Sequence, residues 1–154
     1  MKFCFHWHRG EENIIKIYEK FDYLAYWVRY QTTYLEMKYH LKQVLDGKEE
    51  YYIKPIRHYD RNIGKSAALA RLSVKYDIPI VVPTQTWKRF IEYNIPHDIP
   101  KYFKKKKPVI IVASDYIRQQ KYKILFMEER LEDRQIEQVN RMCCGKVVGY
   151  RNYD

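Results

Sequence analysis

Gly64-Lys65-Ser66 and Glu128-Glu129 are the residues of this chain best suited to chemistry on a phosphate. A glycine lets backbone N–H groups close on an anion. A lysine adds charge against the outer phosphates, and a hydroxyl ligates Mg²⁺, provided the three open a helix whose amino terminus faces the ligand. The pattern meets that condition: the apolar run "YYIKPI" (51–56) precedes the tripeptide and a helical stretch, Lys65–Tyr76, follows it. A second element is then required, a carboxylate at the tip of another buried strand, to hold the metal through water and activate an attacking water. "KILFMEE" (123–129) offers it, with Ile124–Met127 as the strand and Glu128 and Glu129 at its end. The competing reading of the same acids is an ordinary solvated strand end that continues into Glu132 and Asp133.

Other clusters carry weaker chemistry. In "KYFKKKKP" (101–108), Lys104, Lys105, Lys106 and Lys107 would contact nucleic-acid phosphates without reading sequence, and Tyr102 and Phe103 would stack on bases. A charged run guarding the following strand is the alternative. Cys4, His6 and His8 share one face of a strand and form a soft-metal ligand set, but no fourth ligand is indicated, and a short buried strand explains the alternation as well. Cys143-Cys144 is too close-spaced for an ordinary disulfide or a zinc knuckle, and His58 stands alone beside the glycine-lysine-serine segment.

The elements that must position these residues follow from periodicity. Residues 1–8, "MKFCFHWH", alternate as a short strand would. Glu11 to about Asp46 reads as helix, with one apolar stripe of Ile14, Ile17, Tyr18, Phe21, Leu24 and Val28 and a second of Tyr34, Met37, Leu41 and Val44. Gln31-Thr32-Thr33 is a candidate kink and Gly47 a candidate stop. The many tyrosines predict that this helical piece packs on the rest of the chain. From residue 51 short continuous apolar runs recur: 51–56, "IPIVV" (78–82), "PVIIVA" (108–113), "KILFM" (123–127) and "KVVGY" (146–150). Helical stretches over Lys65–Tyr76, Thr86–Tyr93 and about Leu131–Met142 separate several of them. Such a rhythm predicts an α/β fold: a mainly parallel five-stranded sheet with helices on both faces, preceded by an N-terminal helical extension. The expected division is 1–50 for the strand and helical extension and 51–154 for the α/β domain.

Composition bounds the partners. The 154 residues are enough for one domain with a real core. No apolar run approaches a membrane span, the first residues lack the order of a signal peptide, and three cysteines without paired spacing fit a reducing, cytoplasmic setting. The formal charge of +10 is unevenly placed. Residues 1–50 carry 8 Lys/Arg and 8 Asp/Glu, so the whole excess lies in 51–154, which favours a polyanionic partner, nucleic acid first.

Taken in order, residues 51–150 resemble one RecA-like lobe of the P-loop NTPases of helicases and terminases, in particular a compact group of phage-encoded P-loop proteins. "DRNIGKS" (60–66) is similar to their arginine-bearing "PRG-x-GKT" loop, "IPIVVPT" (78–84) to the following strand that ends in threonine, and "VIIVAS" (109–114) to the third strand. "ILFMEE" (124–129) is similar to the acidic Walker B strand and "GKVVGY" (145–150) to the strand after it. Residues 1–50 lie outside the resemblance. It implies ATP and Mg²⁺ as cofactors, with the nucleotide held by Arg61, Asn62, Ile63, Gly64, Lys65 and Ser66. Lys65 would take the β/γ phosphates, Ser66 and Glu128 the metal, and Glu129 the water. Thr84, Gln85, Ser114 and Arg118 would face nucleic acid. Tyr59 replaces the opening glycine of the loop, Asn62 a second glycine, and Glu128 the usual aspartate. A motor of this class also needs a second lobe or a neighbouring subunit to supply an arginine, which implies self-association or a protein partner; Arg118, Arg130 and Arg141 are unranked donors.

The function expected is therefore nucleotide binding, with weak or partner-stimulated hydrolysis, in a DNA or RNA transaction in the cytoplasm of a host cell. Two alternatives stand beside it. One is a non-enzymatic phage-type protein with a degenerate loop that binds or inhibits a host or defence factor. The other is a basic nucleic-acid-binding module in which the lysine run dominates. A small-molecule kinase ranks below both, since no lid or acceptor-binding segment is evident.

Overall fold

Each apolar run is long enough for a single short strand, and its lack of alternation demands cover on both faces. A computed structural model, which describes residues 7–57, 64–98, 106–113, 122–142 and 146–152, has this architecture. Among the described residues the order is α1 (Trp7–Leu45), β1 (Tyr52–Ile56), α2 (Lys65–Tyr76), β2 (Ile80–Val82), α3 (Gln85–Asp98), β3 (Ile110–Val112), β4 (Leu125–Met127), α4 (Asp133–Met142) and β5 (Val147–Asn152). The five strands form one parallel sheet in the order β1-β5-β4-β2-β3. All five expected strands and the three expected helices after residue 51 are present. The third helix in chain order, α3, runs past the expected end at Tyr93, through Pro96, to Asp98.

Strand order and handedness decide which helix covers which face. The chain moves one way across the sheet from β1 to β2 to β3 and returns through β4 to β5. Right-handed crossovers then put α2 and α3 on one face and α4 on the other. The side chains agree. Ile80, Val82, Ile110, Val112, Phe126 and Val148 pack with α1, α2 and α3, whereas Val81, Ile111, Leu125, Met127 and Val147 pack with Leu131 and Val139. The connections leaving β2 and β4 therefore depart on opposite faces, and a crevice opens at the carboxyl ends of these neighbouring strands.

α1 is one helix in two situations. Tyr30, Tyr34, Met37, Leu41 and Val44 are buried in the larger core. Polar contacts fasten the same half to β1: Glu36 accepts from the Tyr52 hydroxyl at 2.9 Å and from Lys54 Nζ at 2.7 Å, and His40 stacks on Tyr52 with ring centroids 3.5 Å apart. The Arg71 guanidinium of α2 lies 4.0 Å from the Tyr34 ring centre. The helix ends in a left-handed Gly47 (φ 73°), with Gly47 N–H donating to Val44 and Lys48 N–H to Gln43, the paired bonds of a Schellman stop. By contrast Ile17, Tyr18, Phe21, Leu24 and Val28 of the other half are exposed.

Three expectations for this region are corrected. Trp7 and His8 belong to α1 rather than to a strand, because a helix satisfies its own backbone whereas a strand there would need a ladder partner; residues 1–6 lie outside the described residues. Gln31-Thr32-Thr33 does not divide the helix, since Thr32 donates its hydroxyl to the Val28 carbonyl at 2.9 Å and leaves the ladder intact. Among the described residues, Ile17, Tyr18, Phe21, Leu24 and Val28 of the first stripe stay exposed, and the second stripe is the one that packs.

Candidate functional site

The local sequence places the site's two halves at the same edge of the sheet. Gly64 adopts φ 74°, ψ 26°, a left-handed conformation that glycine takes without strain, and it accepts Ala68 N–H at 2.9 Å to start α2. It is also tightly seated: a Cβ there would lie 2.9 Å from Tyr30 Cδ2, so α1 packs directly against the start of α2. On the other side, Glu128 N–H continues the ladder by donating to the Val81 carbonyl, and Asn152 N–H donates to the Glu129 carbonyl. Gly149 lets β5 pass this point, because a Cβ on it would meet the Met127 carbonyl oxygen.

These elements bring together residues far apart in the chain: the Ser66 hydroxyl donates to Glu128 Oε1, 62 residues on, at 2.9 Å, and Lys65 Nζ lies 2.7 Å from Glu129 Oε2. The lysine contact is ionic in distance without the alignment of a hydrogen bond, as that oxygen has no hydrogen-bond partner. Both carboxylates thus sit at the amino end of a helix beside an ammonium and a hydroxyl, an environment built for an anion.

Glu128 is the buried member, 1 % exposed. Loss of water pushes its pKa above the ordinary carboxylate value, and the neighbouring Glu129 charge pushes it further; the Ser66 hydroxyl and the Arg130 N–H, 3.3 Å from Oε2, work in the opposite sense. Trp87 also favours the charged form. Its indole N–H falls short of hydrogen-bond geometry and is buried without a partner.

Ser66 and Glu128 are the oxygen donors here that could hold Mg²⁺, which takes few protein ligands beside phosphate and water. Among the described residues no cluster of three His, Cys, Asp or Glu side chains suited to a metal occurs. Arg61, Asn62 and Ile63 lie outside the described residues, as do Tyr59, Lys104, Lys105, Ser114, Arg118, Cys4, His6, Cys143 and Cys144.

The expected nucleic-acid contacts do not converge among the described residues. Thr84 is at the carboxyl end of β2, close to the crevice, where its hydroxyl caps α3 by accepting Trp87 N–H at 3.2 Å. Lys106 and Lys107 precede β3 and so occupy the opposite edge of a parallel sheet. There Lys106 pairs with Asp77, the left-handed residue ending α2, at 3.0 Å.

Sequence reasoning missed Trp87 and Gln135. Trp87 is half-buried beside Glu128, stacks on Phe90 with centroids 4.8 Å apart, and carries the Arg130 guanidinium 4.7 Å from its ring centre. Gln135 ties the segment after β2 to the start of α4, donating to the Pro83 carbonyl and accepting Glu132 N–H, both at 2.9 Å. The signal for Trp87 was its place three residues after a strand-ending threonine; Gln135 had none.

No family model, curated protein or solved structure matches the chain. The architecture is an α/β fold compatible with a RecA-like lobe, and no helix among the described residues is long and apolar enough to cross a membrane.

Proposed function

We propose that this protein binds a purine nucleoside triphosphate, ATP foremost, with Mg²⁺ at the junction of α2 and β4. The observation that carries the reading is the convergence of Lys65 and Ser66 with Glu128 and Glu129 from a distant part of the chain. Lys65 and the first amides of α2 would neutralise phosphate charge, with Arg61, Asn62 and Ile63 completing the loop. Ser66 and Glu128 would hold the metal, which when bound withdraws charge from the outer phosphates. A phosphate entering here must draw Lys65 away from Glu129, so the carboxylate becomes available to align water only when substrate is present. Hydrolysis is accordingly weak or partner-stimulated. A role in a DNA or RNA transaction rests on the charge excess of residues 51–154, and the cytoplasmic setting on three cysteines without paired spacing.

One observation favours a second reading. The four site groups already pair with one another, and an exposed apolar helix accompanies them, as suits a non-enzymatic protein that keeps the loop as structure and binds a host or defence factor.

Thermal-shift titration with Mg-ATP and Mg-ADP separates the two. Nucleotide at 100-fold its dissociation constant should stabilise the native chain by about 2.7 kcal/mol, several degrees at this size. That shift should vanish in Lys65→Ala and shrink in Ser66→Ala. A native protein that does not shift at millimolar nucleotide would sink the nucleotide reading.

A further inference from the structure

We propose that α1 is a pairing helix whose occupant is a second copy of this chain. The outward apolar residues follow a strict heptad. Phe21, Val28 and Leu35 alternate with Ile17, Leu24 and Gln31 at steps of four and three from residue 17 to 35, with Gln31 the single polar position. Steps of three and four are the spacing of a seam that another helix fills.

The seam is not available to the protein's own body. At 100° per residue, the outward stripe and the buried stripe of Tyr30, Tyr34, Met37, Leu41 and Val44 point about 150° apart on one continuous helix. With the buried stripe clamped in the core, the other must face away. Ile17, Phe21, Leu24, Val28 and Leu35 are accordingly 51–65 % exposed, and Tyr18 and Trp27 flank them. A shallow apolar depression lies between Ile17, Lys20, Phe21 and Leu24 on this face.

Charge and area select a second copy. Residues 7–29 carry four Lys/Arg and four Asp/Glu, so two such segments neither repel each other nor seek an anionic surface. The excess charge lies beyond residue 50. Covering the seam and its flanking aromatics would remove on the order of 700 Å² per chain from water, close to the roughly 800 Å² per partner of a stable interface.

The test is sedimentation velocity of the full chain from 1 to 100 µM, roughly the range in which an interface of this size assembles. The native protein should be a dimer at the upper end. Phe21→Glu/Leu24→Glu should sediment as a monomer throughout, and Leu35→Glu, on the packed half of the helix, should weaken pairing at least tenfold. Tyr23→Glu, equally exposed on the same turn but off the seam, should leave the dimer unchanged. A native chain that is monomeric throughout, or that leaves solution only with phosphatidylcholine/phosphatidylserine vesicles, overturns the proposal. So does a dimer that survives the double substitution or is lost in Tyr23→Glu. Nucleotide plays no part in these readouts, so they stand apart from the nucleotide proposal.

Discussion

At the tip of β4 a carboxylate is buried beside an ammonium, a hydroxyl and an indole, while along the first half of α1 isoleucine, phenylalanine and leucine stand in water. Soluble proteins ordinarily do the reverse with each residue type. The polar exception is compensated in part inside the fold, by Ser66 and the Arg130 N–H against Glu128 and by Lys65 against Glu129. The apolar exception has no such compensation among the described residues. Burying Glu128 is a cost that the contacts of α2 offset locally; exposing Leu24 is a cost that only another surface can offset.

The sharpest way to break the comparison is to substitute leucines on the two halves of α1. Leu41→Ala removes a fully buried side chain and should cost about 2–5 kcal/mol, read as a lower urea midpoint. Leu24→Ala, the fourth and smallest effect in this series, should change the stability of the dilute monomer by less than about 0.5 kcal/mol. Equal losses would mean that both halves are packed. The second effect belongs to the site. Lys65→Met keeps bulk but strands Glu129 beside Glu128, and should destabilise the nucleotide-free protein by on the order of 3 kcal/mol in the same unfolding measurement.

Third comes Glu128→Gln, with a pH signature. Because the native pKa is raised, the native state holds a proton that the unfolded chain releases. Stability from this carboxyl is full below the ordinary value of 4.5 and is lost as pH rises through the native value. Glu128→Gln should therefore gain on the order of 1 kcal/mol at pH 8 and almost nothing at pH 4, measured as paired melting curves. A gain independent of pH would show that the side chain's charge is not what strains the site.

Much of this was legible beforehand. The runs at 78–82, 108–113 and 123–127 became β2, β3 and β4 because apolar continuity records burial on both faces. Lys65–Tyr76 became α2 because glycine marks its start. The Glu128–Glu129 tip followed from an acid placed directly after a buried strand. What periodicity does not encode is what covers a face. Ile17 and Leu41 sit in stripes of similar spacing, and only the packing of α1 on α2 and β1 separates them. Strand order was equally silent, since nothing in the five runs says that β5 inserts between β1 and β4. The distance between Thr84 and Lys106 is a consequence of that same parallel sheet, which sends the segments entering and leaving each strand to opposite edges.

The contact of Tyr30 with Gly64 gives α1 a mechanical role. Val28, on the outward seam, precedes Tyr30 by two residues, or about 3 Å of helix axis, and a Cβ at position 64 would already touch the Tyr30 ring. The helix is thus a shaft with its bearing on the residue that opens α2. Tyr30 leaves so little room there that the position of α1 is coupled to the first turn of α2, the turn that presents Lys65 and Ser66.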